Sequence, residues 1–306
     1  MNHLSHKLSQ LITEQPNPRT DHIDQLDSIE IMKLINDEDQ QIAKVIRPLI
    51  PDIAKVADCI VESFERGGRL FYVGAGTSGR IGILDASECP PTYGTDPSLV
   101  QGVIAGGFEA VRTPVEGAED SEQGGSEDMK SHQVGPNDVV IGIAASGRTP
   151  YVLGAMKEAR ALGALVVGLC NNPNSDMKPL ADYTIEAVTG PEVIMGSTRM
   201  KSGSAQKLIL NMLTTTAMIR SGKVYRNLMI DLNPSNEKLV DRAKRIIKLA
   251  TGASEEQIKD AYIESDGHIK TAIVMIMTGS DASSARKLLL SSKGYVRKAI
   301  DSNPTS

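Results

Sequence analysis

The sequence predicts an α/β protein: a parallel five-stranded sheet flanked by helices, with N-terminal helices before it and a small C-terminal helical bundle after it. Three observations carry this. Five short apolar runs, Leu70 to Val73, Val103 to Ala105, Val139 to Ala144, Leu165 to Leu169 and Tyr183 to Val188, read as strands buried in a parallel sheet. Two of these runs end in small hydroxyl-bearing loops that open a helix. After Asn236 the texture changes to short amphipathic helices with glycine stops. The divisions expected are an N-terminal helical segment (1–50), the sheet domain (51–235) and the C-terminal bundle (236–306).

Met1 to Asp27 has weak periodicity, broken at Pro16-Asn17-Pro18, and is expected to wrap the surface. Asp27 and Glu30 form a capping box for a helix ending near Asn36, and Asp37 with Gln40 repeats the signal for a second. Pro51 suits the first turn of a third helix, where Ile53, Val56, Ala57, Ile60, Val61 and Phe64 share a face, and Gly67-Gly68 ends it. Ile81 to Ala86 reads as a helix stopped by Pro90-Pro91. Thr113 to Glu127 is an acidic, glycine-rich segment. Pro150 to Leu162 and Ser202 to Ser221 read as helices, and Lys223 to Ser235 as a loop. Beyond it four helices are expected: one around Leu239 to Ala250, one capped by Ser254 and Gln257, His268 to Met277, and one capped by Asp281 through Leu290.

With 40% apolar and 23% charged residues, the 306-residue chain has the composition of a soluble globular protein. Aromatics are 3% and Trp is absent, so the core must be aliphatic, with Met filling gaps. The net charge of −5 argues against a nucleic-acid partner. No apolar run approaches membrane-spanning length, and the polar start from Asn2 to Gln15 is not a secretory signal. Cys59, Cys89 and Cys170 have no paired spacing, which points to a reducing, cytoplasmic setting. His132 and His268 lack ligand-spaced partners, so no metal site is expected.

The first loop, Gly74-Ala75-Gly76-Thr77-Ser78-Gly79, follows a strand and precedes a helix, an arrangement that aims backbone N–H groups at an anion. Gly74, Gly76 and Gly79 also fit a dinucleotide fingerprint, but the next strand ends Ala105-Gly106-Gly107, without the acid a ribose needs. A structural glycine turn is the plain alternative. The second loop, Ala145-Ser146-Gly147-Arg148-Thr149-Pro150, repeats the pattern. Hydroxyls on both sides suit a phosphomonoester better than a pyrophosphate, although Ser146 and Thr149 would equally serve as helix caps. Two acids stand out. Glu88 is placed in the last turn of its helix, where the negative end of the dipole favours a proton-bearing carboxyl. Glu119 sits in an acidic loop with Glu116, Asp120 and Glu122. By texture alone these acids also fit a solvated loop.

The runs GAGTSGR, LDASECPPT, IAGG, EGAEDS, ASGRTP, GSTRMKSGSAQK and NLMIDL resemble the N-acetylmuramic acid 6-phosphate etherase family over nearly the whole chain, from Leu11-Ile12-Thr13-Glu14 to the last helices. LDASECPPT and EGAEDS are specific to that family among sugar isomerase (SIS) domains. Arg226, where glycine is expected, and Ser204, where threonine is expected, depart from its pattern. The resemblance implies a SIS-type fold, no metal or cofactor, and cleavage of the C3 lactyl ether of a sugar phosphate in amino-sugar catabolism and peptidoglycan recycling. It implies Glu88 as proton donor, Glu119 as its partner, and substrate contacts at Gly76, Thr77, Ser78, Gly79, Ser146, Gly147 and Thr149. Ten helical residues from Ser78 to Glu88 span about 15 Å, more than a hexose phosphate. A helix that bends early, or a homodimer with shared active sites, would resolve this. The rivals are a non-catalytic sugar-phosphate regulator similar to the glucokinase regulatory protein, an aldose–ketose isomerase, and, more weakly, a transcription regulator.

Overall fold

The computed structural model describes residues 11–232 and 237–303. The polar start up to residue 10 and the expected boundary at 235/236 lie outside the described residues. The chain forms two compact units, one of residues up to Ser87 with Pro97–Thr214, the other of Glu88–Asp96 with Thr215 onward.

In the first unit, short turns lead to α1 (Ser28–Asp39), whose capping box has both halves formed, Asp27 accepting from the Glu30 N–H at 2.9 Å. Helix α1 runs three residues past the expected end. Asp37 therefore lies inside it and caps nothing, and the short α2 (Ile42–Ile46) starts without a side-chain cap. Helix α3 (Ile50–Glu65) carries Pro51 in its first turn and buries Ile53, Val56, Ala57, Ile60 and Val61 as the spacing predicts. The N-terminal stretch is tied down by specific bonds. Asn172 Oδ1 accepts from the Ile12 N–H at 2.7 Å, and the Thr20 hydroxyl donates to the Val193 carbonyl at 2.8 Å. Buried Glu38 pairs with both Arg19 and Lys201.

The sheet follows. Its elements are β1 (Leu70–Gly74), α4 (Gly76–Tyr93), β2 (Val100–Ile104), α5 (Glu122–Ser131), β3 (Val139–Ile143), α6 (Pro150–Ala161), β4 (Leu165–Cys170), β5 (Tyr183–Glu186) and α7 (Lys201–Arg220). All five strands are parallel, in the order β2-β1-β3-β4-β5. Every residue of β1 and β3 is buried, which is why these strands read as unbroken apolar runs. The strand order reverses at β1/β3, and ligands of such sheets bind in the crevice at the carboxyl ends there.

Two expectations are corrected. Helix α4 does not stop at Pro90-Pro91 but continues through both prolines to Tyr93. Two prolines strip two backbone donors without forcing the chain out of helical φ. The acidic, glycine-rich segment, for which no helix is expected, ends inside one, α5, which runs on to Ser131. Glycine is a poor helix former, yet here it is what lets α5 and α6 approach. A Cβ on Gly125 would lie 1.9 Å from the Tyr151 carbonyl oxygen, and one on Gly154 2.0 Å from that of Glu122.

In the second unit, the predicted loop after α7 holds a hairpin, β6 (Val224–Tyr225) and β7 (Leu228–Met229). At its bend Arg226, the departure from the expected glycine, adopts φ +54°. Five helices follow: α8 (Glu237–Thr251), α9 (Glu255–Glu264), α10 (Ile269–Thr278), α11 (Ala282–Ser291) and the unpredicted α12 (Val296–Asp301). Helix α10 is central, with Ala272, Ile273 and Val274 fully buried in one aliphatic cluster. Each such Ile or Val contributes about 1.5–3 kcal/mol on burial.

Candidate functional site

Only Ala75 separates β1 from α4, so the predicted glycine turn is largely the first turn of the helix, and Thr77, Ser78 and Gly79 lie within it. Gly79 permits this tight junction: a Cβ there would meet Ile104 Cγ1 at 2.5 Å and the Gly74 carbonyl oxygen at 2.8 Å. Gly76, exposed at φ +52°, makes the bend itself. The first N–H groups of α4 have no carbonyl partner within the helix and face the carboxyl edge of the sheet. Thr77 is half-buried and lines an open groove of about 450 Å³ with Ile81, Arg199, Gly203 and Lys207. Ser78 faces the same helix, α7, from a buried position, and its hydroxyl donates to Gln206 Oε1 at 2.9 Å.

The second turn leaves the neighbouring strand, where Gly74 of β1 pairs in register with Ile143 of β3. The two hydroxyl-bearing turns therefore emerge side by side from one edge, at the reversal of strand order. Ser146 Oγ accepts from the Arg148 N–H at 3.1 Å, closing its own loop. Gly147 adopts φ +68° and packs so that a Cβ would lie 2.4 Å from Ser175 Cβ. Thr149 is the N-cap of α6, but its hydroxyl makes no capping bond. Capping therefore does not account for Thr149.

Glu119 lies in the connection from β2, the other neighbour of β1, to β3. It is exposed on a single turn, Ala118–Asp120, anchored by Ala118 against the core cluster that includes Tyr151 and Val152. Helix α5 begins directly after it, capped by Ser121, and its Gly125 touches the Tyr151 backbone in the first turn of α6. The Glu119 turn thus lies by the start of α6, which Thr149 opens. Nearby Glu122 is paired with Lys157 at 2.7 Å. Glu88 is exposed on the stretch of α4 that belongs to the second unit, ten residues past Ser78, or about 15 Å of helix. Because α4 runs on to Tyr93, Glu88 is not in its last turn, and the expected influence of the dipole, confined to the final turn, does not apply.

Several polar residues at this edge were not singled out from the sequence: Gln206, Asn171, Asn172 and Glu192, whose carboxylate accepts from the Lys201 and Ser202 N–H groups at 2.9 Å. The signals available were the Asn-Asn pair closing β4 and the polar start of α7. All three cysteines are free, and among the described residues no cluster of His, Cys, Asp or Glu could hold a metal ion.

Comparison with known proteins matches residues 52–160 to the glucokinase regulatory protein N-terminal SIS domain and residues 116–216 to the SIS domain. The N-acetylmuramic acid 6-phosphate etherase of Photorhabdus laumondii subsp. laumondii is 54% identical over 96% of this chain and 97% of its own. That of Caldanaerobacter subterraneus subsp. tengcongensis is 53% identical over 96% of each. Among solved structures, a Bacteroides fragilis protein described as a candidate phosphosugar isomerase involved in capsule formation aligns with a TM-score of 0.50. It is 20% identical and covers 66% of this chain and 95% of that one, a likeness of fold alone. The sheet and its flanking helices are of the SIS type.

Proposed function

The chain belongs to the N-acetylmuramic acid 6-phosphate etherase family, and from that membership we propose that it cleaves the C3 lactyl ether of N-acetylmuramic acid 6-phosphate, giving N-acetylglucosamine 6-phosphate and D-lactate. The observation that carries this is the pair of hydroxyl-bearing turns side by side at the β1/β3 crevice. The N–H groups around Gly76–Gly79 and Gly147, with Thr77, Ser78, Ser146 and Thr149, bind the phosphate and orient the open-chain sugar. Its C1 aldehyde acidifies the C2 proton. Glu119 removes that proton and Glu88 protonates the departing lactate oxygen as the C3–O bond breaks. Water then adds across the resulting double bond, oxygen to C3 and hydrogen to C2. Proton transfers alone balance the sequence.

The length of α4 between Ser78 and Glu88 supports a homodimer in which Glu88 serves the partner's phosphate site. Free cysteines and the absence, among the described residues, of a helix able to cross a membrane fit a cytoplasmic enzyme. The match to the glucokinase regulatory protein domain favours a second reading, a sugar-phosphate regulator needing neither glutamate.

Lactate release from N-acetylmuramic acid 6-phosphate, with no turnover of glucose 6-phosphate, separates the etherase from a regulator and from an isomerase. Glu88→Gln and Glu119→Gln should each lower kcat by about 10²–10⁴-fold. Mixing Glu88→Ala with Glu119→Ala chains should restore part of the lost activity in the heterodimer, where one site regains both glutamates; no recovery rejects sharing.

A further inference from the structure

We propose that Gln206 is a positioning residue: it fixes the direction of the Ser78 hydroxyl and, through Asn171, holds the two hydroxyl-bearing turns at one spacing. This role deepens, and rests on, the sugar-phosphate reading of the same edge. Gln206 and Asn171 are almost wholly buried. Ser78 Oγ donates to Gln206 Oε1 at 2.9 Å, Gln206 Nε2 donates to Asn171 Oδ1 at 2.9 Å, and Asn171 Nδ2 donates to the Ala187 carbonyl at 2.9 Å.

The polarity of this chain is set at its far end. A backbone carbonyl can only accept, so Asn171 must present its amide nitrogen to Ala187 and its oxygen to Gln206. Gln206 must then present nitrogen to Asn171 and oxygen to Ser78. The single proton of Ser78 is thereby committed to the protein. A phosphate dianion offers only acceptors, so Ser78 meets it through its backbone N–H, and the direct hydroxyl donors are Thr77 and Thr149.

The same asparagines reach the second turn. The Asn171 N–H donates to the Ala145 carbonyl at 3.0 Å, and Asn172 Nδ2 donates to that oxygen at 2.9 Å. Ala145 immediately precedes Ser146. One buried relay therefore joins the start of α4, the start of α7, the end of β4 and the loop after β3. Loss of Gln206 would leave the Asn171 Oδ1 acceptor buried without its donor.

A double-mutant cycle tests this, read both in KM for the sugar phosphate and in the Kd of inorganic phosphate. Gln206→Met and Ser78→Ala should each raise both constants about tenfold, and KM more than they lower kcat. Because both break one contact, the double variant should lie within about twofold of the worse single. Gln206→Glu keeps an acceptor for Ser78 but turns a second acceptor on Asn171, whose amide cannot flip against Ala187. It should therefore fail to rescue the phosphate Kd even where thermal unfolding shows a folded protein. Thermal unfolding checks that each variant folds, and should Gln206→Met not fold, the cycle runs with Gln206→Glu. An additive double, about a hundredfold, or a Gln206→Glu protein with wild-type constants overturns the proposal. Absence of lactate release from the wild type would instead sink the functional reading, and the cycle in phosphate Kd would still decide the relay.

Discussion

The turns after β1 and β3 look alike in sequence, each a strand, a small hydroxyl-bearing loop and a helix start, yet they are built differently. After β1 the helix begins after one residue, the glycines serve close packing, and Ser78 is absorbed into the buried relay to Gln206. After β3 a longer loop closes on itself through Ser146, and Thr149 stands at the helix start without a cap bond. The first turn is packed against Ile104 of β2 and bonded to Gln206 of α7, whereas the second combines its own Ser146–Arg148 bond with the anchoring of the Ala145 carbonyl by Asn171 and Asn172. Like residues in like order do not imply like roles: a serine hydroxyl is a ligand donor only when its proton is not already spent.

The largest expected difference is in stability. Gly79→Ala forces a methyl group against Ile104 and the Gly74 backbone, and should cost about 3 kcal/mol. Ser146→Ala removes one local bond and should cost about 1 kcal/mol. Urea unfolding followed by circular dichroism measures both. A Gly79→Ala protein within 1 kcal/mol of wild type would mean the β1 junction has slack, and the contrast between the turns would fail.

Next is a difference in binding. Thr149→Val removes a hydroxyl free of internal bonds, so it should raise KM about tenfold, the weight of one hydrogen bond to a charged group. Its stability should fall by less than the ~1 kcal/mol that losing a true N-cap costs. Steady-state kinetics with thermal unfolding separates the outcomes. Lost stability with unchanged KM would make Thr149 a cap after all.

Much of this was legible in the chain. The inner strands β1, β3 and β4 are buried almost throughout and so announce themselves as apolar runs, with hydroxyl loops at the ends of β1 and β3, while the edge strands β2 and β5 are half-buried and show only short apolar stretches. What was hidden depends on contacts distant in sequence. Ser78 and Gln206 are 128 residues apart, and Gln206 and Asn171 are 35 apart. No local pattern marks two such amides as partners. Helix α5 was hidden for the opposite reason: Gly124 and Gly125 lower local helix propensity, and only the neighbouring α6 supplies the reason for them. The continuation of α4 past Pro90 likewise depends on surroundings that a proline rule ignores.

The smallest effect is a slope with pH, and it divides the helices that follow the two turns. Helix α4 is pinned by buried Asp85, which accepts from the Tyr72 hydroxyl at 3.0 Å, Asn211 Nδ2 at 2.6 Å and the Thr214 hydroxyl at 3.3 Å. Burial pushes the Asp85 carboxyl above its ordinary range, outweighing the bonds from Asn211, Tyr72 and Thr214 that pull it down. Helix α6 is pinned instead by the Tyr151 hydroxyl donating to Asp128, and burial together with Asp128 pushes that phenol further up, so Tyr151 stays protonated under working conditions. A carboxyl raised on folding contributes stability that is complete below its unfolded pKa, about 3.9, and is lost as pH rises through the folded value. Asp85→Asn removes the titrating group, so its stability relative to wild type should improve from about pH 4 upward, while Tyr151→Phe should show no slope between pH 4 and 8. Unfolding curves for both variants across that range are the measurement. A flat Asp85→Asn difference would mean that the helix after β1 is held without a buried charge, as the helix after β3 is.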